Sequence, residues 1–576
     1  MIQLARFLAP YKGRIALLLA LLLLHVFGTL YIPTLTADIV NTGIVPGSVN
    51  RVWQAGKVML VVAILASAAS ILDTYLSTHI FAAMGRDIRS ALFRKSQHLT
   101  IDEFNRFGPA SMITRCTNDI TQIQQAYMTI VEMLLPAPIM SIVGLFLAFS
   151  KSPALAILIV LSMLAVCMLT LLVGSKAMGL LASLQTKLDV INRTLRERLM
   201  GIRVIRAFNR SEHERRRSDE AYEQYASTAI RVNRIFAGLM PLIMGIMNVC
   251  VVAIIAVGGQ NAADGRMGIG DIMALIEYAS LIMMYLVMGI SVFLIIPRAQ
   301  TCADRVNEVL NLPSERNMAT PALDGAVSDS PKLEFRDVTF RYQGAEEPVL
   351  HNVSFTVRTG ETTAIIGGTG SGKSTIADLI AHFHDIESGV ILLDGKDTTY
   401  IPEDRLRDHI GFVPQKAFLF SGTIMDNIRH GKQDATPEEV RHAARTAQIA
   451  DYIDGLEKGY DTRVCQGGDN FSGGQRQRLS IARALVRKPD IYVFDDSFSA
   501  LDFKTDAKLR AALKQETKNA AVVLIAQRIS TIMDAERIIV LDEGRVAGIG
   551  THEQLMANCE TYRQIAESQL NEKELA

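Results

Sequence analysis

The sequence predicts two domains of different fold class, an α-helical domain with six membrane-spanning helices followed by an α/β domain built around a P-loop. All six apolar stretches long enough to span a bilayer lie in the first half of the chain. In the second half, apolar strand-like runs alternate with helical patterns around a glycine-rich loop. Hydrophobic residues make up 49% of the 576 residues and charged residues 20%. The apolar and soluble parts must therefore be segregated, and so long a chain needs more than one core.

The membrane domain is defined by apolar runs that match a hydrocarbon core of ~30 Å. These runs cover residues 15–35, 58–84, 129–149, 153–174, 235–258 and 272–297. The segments 86–127 and 176–234 are too polar to span and carry nearly all the basic residues of this half. By the positive-inside rule these segments are cytoplasmic, so an even number of crossings places both chain termini in the cytoplasm. We expect a multi-pass protein of the cytoplasmic membrane.

Domain boundaries follow from the change in composition after the sixth run. We assign residues 1–312 to the membrane domain, 313–332 to a linker that contains proline and serine, and 333–576 to the α/β domain. The first apolar run continues for about 20 residues without a small-residue cleavage pattern, so we expect no cleavable signal peptide. The six cysteines show no CxxC spacing, and the formal net charge is zero, which gives no indication of a metal site or a nucleic-acid partner.

A phosphate-binding loop follows the apolar strand 363–366. The loop reads Gly367, Gly368, Thr369, Gly370, Ser371, Gly372, Lys373, Ser374 and Thr375, and an apolar helix begins there. Glycines allow backbone N–H groups to surround phosphates, and the helix N-terminus favours negative charge. In such loops the lysine, here Lys373, reaches the β- and γ-phosphates, and the hydroxyl of Ser374 ligates Mg²⁺. A second apolar strand, 491–494, ends at Asp495, whose carboxylate would hold the same Mg²⁺.

Further motifs in the second half resemble those of ATP-binding cassette (ABC) proteins. The signature motif of that family resembles Phe471, Ser472, Gly473, Gly474 and Gln475, with Phe471 in place of the usual leucine. Gln415 resembles the Q-loop glutamine, which contacts Mg²⁺, and Asp502 resembles the D-loop aspartate. Tyr342 resembles the A-loop aromatic residue that stacks on adenine. The resemblance implies that two cassettes face each other and that each ATP is held between one P-loop and the opposite signature.

The first half resembles the membrane domain of ABC exporters. The similar segments are 104–108, 114–119 and 201–208, all in the polar regions between apolar runs. In that family these regions carry the coupling helices that dock on the cassette. The resemblance implies alternating access driven by ATP.

Besides Phe471, and Gln466 where exporters often have glutamate, two positions of the catalytic centre depart from the family pattern. Asp496 stands where the family has the glutamate that acts as general base, and Gln527 stands where it has the switch histidine. A carboxylate one methylene shorter is set back by roughly 1 Å, which can cost about 10²-fold in rate. Glutamine carries neither a proton nor a positive charge. The intact P-loop and signature then predict a degenerate nucleotide site in the non-catalytic half of a heterodimeric exporter of hydrophobic or amphipathic compounds.

Three other functions are compatible with these motifs. A homodimeric lipid or drug exporter would use Asp496 as a slower base. An importer built on the exporter fold, for example for siderophores, would have the same motifs. A nucleotide-sensing subunit would bind ATP and regulate its partner without moving cargo.

Three ionisable residues within the apolar runs are candidates for contact with cargo, since such residues are costly in a bilayer. His25 lies in the first run, Asp73 in the second and Glu277 in the sixth. Counting ~1.5 Å per residue places His25 and Asp73 within one or two helical turns of each other, so they could instead form a structural pair. Glu277 could attract a cationic substrate or lie at the outer rim.

Overall fold

The computed structural model describes residues 1–292, 295–312 and 331–569 in two compact units. One unit comprises Met1–His98 and Gly108–Leu312, and the other comprises Leu99–Phe107 and Pro313–Ala576. Residues 313–330 of the predicted linker lie outside the described residues, as do residues 293–294 of the sixth apolar run.

Long helices form the first unit. The α-helices of residues 12–310 are α1 (Lys12–Asp38), α2 (Val49–Gln97), α3 (Ile101–Phe107), α4 (Pro109–Thr114), α5 (Ile120–Thr129), α6 (Pro136–Lys151), α7 (Pro153–Met200), α8 (Ile202–Ala207), α9 (Ser211–Ala263), α10 (Ile269–Val292) and α11 (Ile296–Leu310). A 3-10 segment, Ile2–Tyr11, precedes α1. Of these helices, α3 falls in the second unit.

Six helical segments in the described chain are long and apolar enough to cross a membrane. They are Ile2–Ile44, Val49–Gln97, Pro109–Lys151, Pro153–Met200, Ser211–Ala263 and Ile269–Ile290. The predicted six-helix membrane domain is therefore confirmed. The helices α2, α7 and α9 have 49, 48 and 53 residues, which at ~1.5 Å per residue is more than twice the thickness of a bilayer core. Much of the polar sequence between the apolar runs is thus helical and extends beyond the membrane.

The third crossing is not a regular α-helix. Its α-helical parts are separated by the π-helical segments Arg115–Asp119 and Ile130–Leu134. At the second segment, the N–H of Leu135 donates to the carbonyl of Ile130, five residues earlier. Pro136 follows directly and has no N–H to donate, so the regular i to i−4 pattern is interrupted here.

The described residues of the second unit form an α/β domain with three sheets. Its strands are β1 (Leu333–Phe340), β2 (Leu350–Val357), β3 (Thr362–Gly367), β4 (Ser388–Leu393), β5 (Lys396–Asp397), β6 (Ile410–Val413), β7 (Gly422–Thr423), β8 (Arg463–Val464), β9 (Ile491–Asp495), β10 (Ala521–Ile525), β11 (Arg537–Asp542) and β12 (Arg545–Gly550). Its further helices are α12 (Lys373–Ile380), α13 (Glu403–Asp408), α14 (Ile424–Arg429), α15 (Pro437–Thr446), α16 (Ala450–Asp454), α17 (Gly473–Arg487), α18 (Phe503–Glu516), α19 (Ile529–Ile532), α20 (His552–Asn558) and α21 (Glu560–Glu567).

The six-stranded sheet determines where ligands can bind. Its order is β12-β11-β3-β10-β9-β6, and the strands from β11 to β6 are parallel. Every residue of β9 and β10 is buried, as expected for strands covered on both faces. Ala364 and Ile366 belong to one hydrophobic core, and Ile365 belongs to the core on the other face. Because β3 and β9 both pair with β10, the loops after them share the carboxyl edge of the sheet, where α/β proteins bind ligands.

Candidate functional site

The P-loop connects β3 to α12 and has the backbone that the glycine pattern predicts. Gly370 and Gly372 have φ angles of +84° and +94°, in the region that favours glycine. A side chain at Gly367 would collide with the carbonyl oxygen of Leu541. The ammonium of Lys373 donates to the carbonyl oxygens of Gly367 and Gly368, at 2.9 and 2.5 Å. Burial lowers the pKa of Lys373, although the nearby charges of Asp496 and Asp495 act in the opposite direction.

A cavity of about 550 Å³ lies along this loop. Residues 367–370 and 372–375 line it, together with Gln415 and Gln527. The structure thus brings the predicted P-loop, Q-loop and switch positions to one cavity. Its volume falls in the range of typical small-molecule sites.

The predicted magnesium ligands Ser374 and Asp495 face each other. The hydroxyl of Ser374 lies 3.1 Å from Oδ1 of Asp495 and donates to it. Burial, with the charges of Asp378 and Asp496, raises the pKa of Asp495 to about 6. Two adjacent oxygen ligands next to a phosphate-binding loop fit the chemistry of Mg²⁺, which prefers carboxylate, hydroxyl and phosphate oxygens.

Asp496 is held by two side-chain amides. Its Oδ2 accepts hydrogen bonds from Nε2 of Gln527 at 2.8 Å and from Nε2 of Gln415 at 3.2 Å. The Asp496 side chain is 8% exposed and its φ is +44°, an uncommon backbone conformation for a residue other than glycine. Gln415, predicted as a metal contact, therefore donates to Asp496 in this structure. Both departures from the family pattern meet at one carboxylate oxygen.

Tyr342 is fixed next to the P-loop helix. Its hydroxyl lies 3.1 Å from Oγ1 of Thr375, and its ring packs edge-on against the rings of Phe340 and His384, at centroid distances of 4.8 and 5.3 Å. Nδ1 of His384 lies 2.9 Å from Oδ2 of Asp102, on α3. The aromatic residue predicted to stack on adenine is thus connected through His384 to the segment Leu99–Phe107, which belongs to the same unit.

The signature residues 471–475 lie apart from this cavity. Ser472 is the N-cap of α17: its Oγ accepts from the N–H of Gln475 at 3.3 Å, and Oε1 of Gln475 accepts from the N–H of Ser472 at 2.8 Å. Phe471 is 5% exposed and packs edge-on against Tyr452, so its larger ring is accommodated in the core. Within the described part of the chain, none of residues 471–475 lines the P-loop cavity. At the start of α17, Ser472 and Gly473 are exposed and Gly474 is partly buried.

Asp502 caps the next helix, α18. Its Oδ1 accepts a hydrogen bond from the N–H of Thr505 at 3.0 Å, and this bond lowers the pKa of Asp502. Like the signature, the residue lies outside the lining of the P-loop cavity among the residues described.

The end of the chain contributes to the site in a way that no motif indicated. Ile565, Ser568 and Gln569 line the P-loop cavity. Gln569 donates to the carbonyl of Gln527 at 2.8 Å and accepts from the N–H of Ile529 at 2.9 Å. Gln569 thus holds the backbone on both sides of Arg528, next to the switch position. The amphipathic pattern of α21, Glu560–Glu567, indicates packing but does not reveal this contact.

The three ionisable residues of the apolar runs, His25, Asp73 and Glu277, do not form one cluster among the described residues. Nδ1 of His25 lies 3.3 Å from the carbonyl of Ala66, and its Nε2 lies 3.5 Å from the hydroxyl of Tyr285. The expected pair between His25 and Asp73 is not formed, because counting residues gives the height on a helix but not the direction that a side chain takes. Glu277 is exposed and lines a cavity of about 260 Å³.

Comparisons with known proteins match both units to ABC transporters. The family model described as "ABC transporter transmembrane region" matches residues 15–286, and the one described as "ABC transporter" matches residues 350–499. An uncharacterized ABC transporter ATP-binding protein of Mycobacterium tuberculosis is 39% identical over 568 residues, which cover 97% of this chain and 96% of that protein. The chain belongs to the ABC transporter family. It is a fused half-transporter, with a membrane domain followed by an ATP-binding cassette.

Two further comparisons indicate the type of ABC transporter. A solved structure of a bacterial Atm1-family ABC exporter with ATP bound matches with a TM-score of 0.80 and 25% identity, covering 98% of this chain and 99% of that chain. An ATP-dependent lipid A-core flippase of Vibrio vulnificus is 28% identical over 574 residues, 98% of this chain and 97% of that protein. The fold of this ABC transporter is therefore the exporter type, as predicted from the motifs, and the chain is a multi-pass membrane protein.

Proposed function

We propose that this ABC half-transporter exports hydrophobic or amphipathic compounds across the cytoplasmic membrane, as the degenerate-site half of a heterodimer. The exporter-type fold and the flippase among its relatives support the direction and the class of cargo. The observation that carries the heterodimer is the pair of departures at one carboxylate, Asp496 and Gln527, beside an intact P-loop and signature. The cassette and both termini are cytoplasmic in this proposal.

ATP binding uses the groups that the cavity brings together. Backbone N–H groups of the P-loop and the ammonium of Lys373 bind the phosphates, and Tyr342 stacks on the base. Ser374 and Asp495 would hold Mg²⁺. Gln415 donates to Asp496, the residue after Asp495, and so lies next to the proposed Mg²⁺ ligands. The ion, when bound, neutralises charge on the phosphates. Lys373 gains an anionic partner in exchange for the two carbonyl contacts it makes within its own loop.

Hydrolysis requires a base that can reach the attacking water. The Asp496 carboxylate is set back by one methylene, and its Oδ2 is occupied by two amide donors. Glutamine at 527 can orient a phosphate oxygen or Asp496, but it cannot carry a proton. We therefore propose that this site binds ATP and hydrolyses it roughly 10²-fold more slowly than a site with a glutamate base.

The signature of this chain serves the partner's nucleotide. Ser472 and the N–H groups of Gly473 and Gly474 at the start of α17 form a site suited to the γ-phosphate, because a helix N-terminus stabilises negative charge. Among the described residues, Asp502 does not line the P-loop cavity either, and we assign it to the same interface. The partner then supplies glutamate and histidine at the positions of Asp496 and Gln527.

The test measures ATPase activity and transport in nanodiscs and proteoliposomes. We expect the isolated chain to bind ATP but to hydrolyse it feebly, and a second half-transporter with glutamate and histidine to restore turnover and ATP-dependent accumulation of cargo inside inside-out vesicles. Brisk hydrolysis by the isolated chain that is lost in Asp496→Asn would overturn the degenerate site. Accumulation in right-side-out vesicles instead would indicate import.

A further inference from the structure

A pair of acidic side chains lies between the second and third membrane crossings. Asp73 and Ser77 are one turn apart on α2, and Glu132 lies in the π-helical segment Ile130–Leu134 of the next crossing. The hydroxyl of Ser77 donates to Oε1 of Glu132 at 3.2 Å, and Glu132 is close enough to act electrostatically on Asp73. Asp73 and Ser77 are 8% and 0% exposed. We call these three residues the α2 acidic cluster.

One polar atom of the cluster has no partner. Oδ1 of Asp73 is buried and has no hydrogen-bond partner among the described residues. In the described part of the chain, neither Asp73 nor Glu132 forms an ion pair with a lysine, arginine or histidine. A buried carboxylate without a partner is costly in water-soluble proteins and more so in a bilayer, where such residues usually have a function.

The geometry of the third crossing supports a binding role. The π-helical turn displaces the helix surface locally, and such turns occur frequently at functional sites. Glu132 is only partly buried, so the cluster is accessible at this residue. Asp73 itself lies within the apolar run 58–84, so a ligand there would have apolar surroundings next to two acidic groups.

We propose that Asp73 and Glu132 bind the ammonium group of an amphipathic amine, with Ser77 orienting Glu132. An ammonium has several N–H donors, so it can satisfy Oδ1 of Asp73 and a Glu132 oxygen together while it compensates their charge. An apolar chain attached to it stays in the apolar surroundings of α2. The assignment of this amine as cargo rests on the proposed export function, whereas its binding does not.

The test uses two fluorescent probes that differ in charge, dansylcadaverine and its N-acetyl derivative. Binding to the full chain in nanodiscs without ATP is followed by dansyl fluorescence. We expect the cationic probe to bind at least tenfold more tightly than the neutral one. The double variant Asp73→Asn, Glu132→Gln removes this preference, whereas Asp38→Asn, which neutralises an exposed carboxylate outside the cluster, retains it.

Three outcomes overturn the site: equal binding of the two probes by the wild-type chain, a preference that persists in the folded double variant, or a preference that is lost in Glu277→Gln instead. Ser77→Ala provides a milder variant and should reduce the preference severalfold, because Glu132 loses its donor. Transport is measured separately in proteoliposomes with the partner chain. If the cationic probe binds but is not transported, the amine is not cargo, but the binding site stands. If other amphipathic compounds are transported and the cationic probe does not bind, the binding site is wrong, but the export function stands.

Discussion

The P-loop end and the signature end of the cassette differ in which residues of the family pattern they keep. At the P-loop end, Lys373, Ser374 and Asp495 are in place, but the base position holds Asp496, bonded to Gln527. At the signature end, Ser472 closes a complete capping box on a 15-residue helix. ATP binding and ATP hydrolysis therefore have separate requirements. In the proposed function, the P-loop end binds phosphate but lacks a base of the right length, and the signature end completes a site on another cassette.

The largest effect should come from removing the phosphate-binding cation. Lys373→Ala should weaken ATP binding at this site by roughly 10³-fold, because loss of one partner in a buried charge pair costs ~4 kcal/mol. Equilibrium binding of labelled ATP to the full chain measures this. The control Lys458→Ala removes an exposed lysine elsewhere in the cassette and should leave affinity unchanged. Unchanged affinity in Lys373→Ala would mean that the P-loop end does not bind ATP.

A gain of activity should follow from restoring the missing groups. The double variant Asp496→Glu, Gln527→His should hydrolyse ATP roughly 10²-fold faster than the wild-type chain when two copies share a nanodisc, since the longer carboxylate reaches the water. Adding Lys373→Ala to this variant should abolish the gain. A rate equal to that of the wild-type chain would show that these two positions do not limit hydrolysis.

A smaller effect is expected at the signature end. Ser472→Ala should lower the turnover of the heterodimer by roughly tenfold, because one hydrogen-bond donor to the partner's phosphate is lost. It should also destabilise the cassette by about 1 kcal/mol through loss of the N-cap. Thr551→Ala is the matched control, because Thr551 forms the same capping box with Gln554 on α20. If both variants slow turnover equally, the effect of Ser472 is one of stability alone.

The smallest effect concerns the C-terminal contact with the switch. Gln569→Ala removes the bonds to the carbonyl of Gln527 and the N–H of Ile529. We expect ATP affinity to change by roughly threefold, the effect of about one ordinary hydrogen bond. Gln564→Ala, which removes an exposed contact with Glu560 on α21, should have no effect. Equal changes in both variants would exclude a specific role for Gln569.

Sequence reasoning predicts best where local chain geometry determines the result. The glycines of the P-loop require left-handed backbone, and the apolar runs must span a bilayer, so both features are predicted from short windows. The structure also places Gln415 and Gln527 beside Asp496, positions that came from the family resemblance. Their catalytic roles remain predictions.

Contacts between distant segments could not be predicted in this way. His25 contacts Ala66 and Tyr285 because of the rotation of α1 about its axis, and counting residues does not give this rotation. Glu132 was overlooked because it lies near the edge of an apolar run, and only the fold brings it to Ser77. Gln569 reaches the switch because α21 packs back on the sheet, and no local pattern records that direction.

The most direct test of the account is to identify the nucleotide held at the P-loop end during turnover. The heterodimer is allowed to hydrolyse labelled ATP, the nucleotide is crosslinked through Tyr342, and the bound species is analysed on this chain. We predict intact ATP on this chain and ADP on its partner. Predominantly ADP on this chain, formed at the same rate as on the partner, would contradict the proposal that this chain carries the degenerate site.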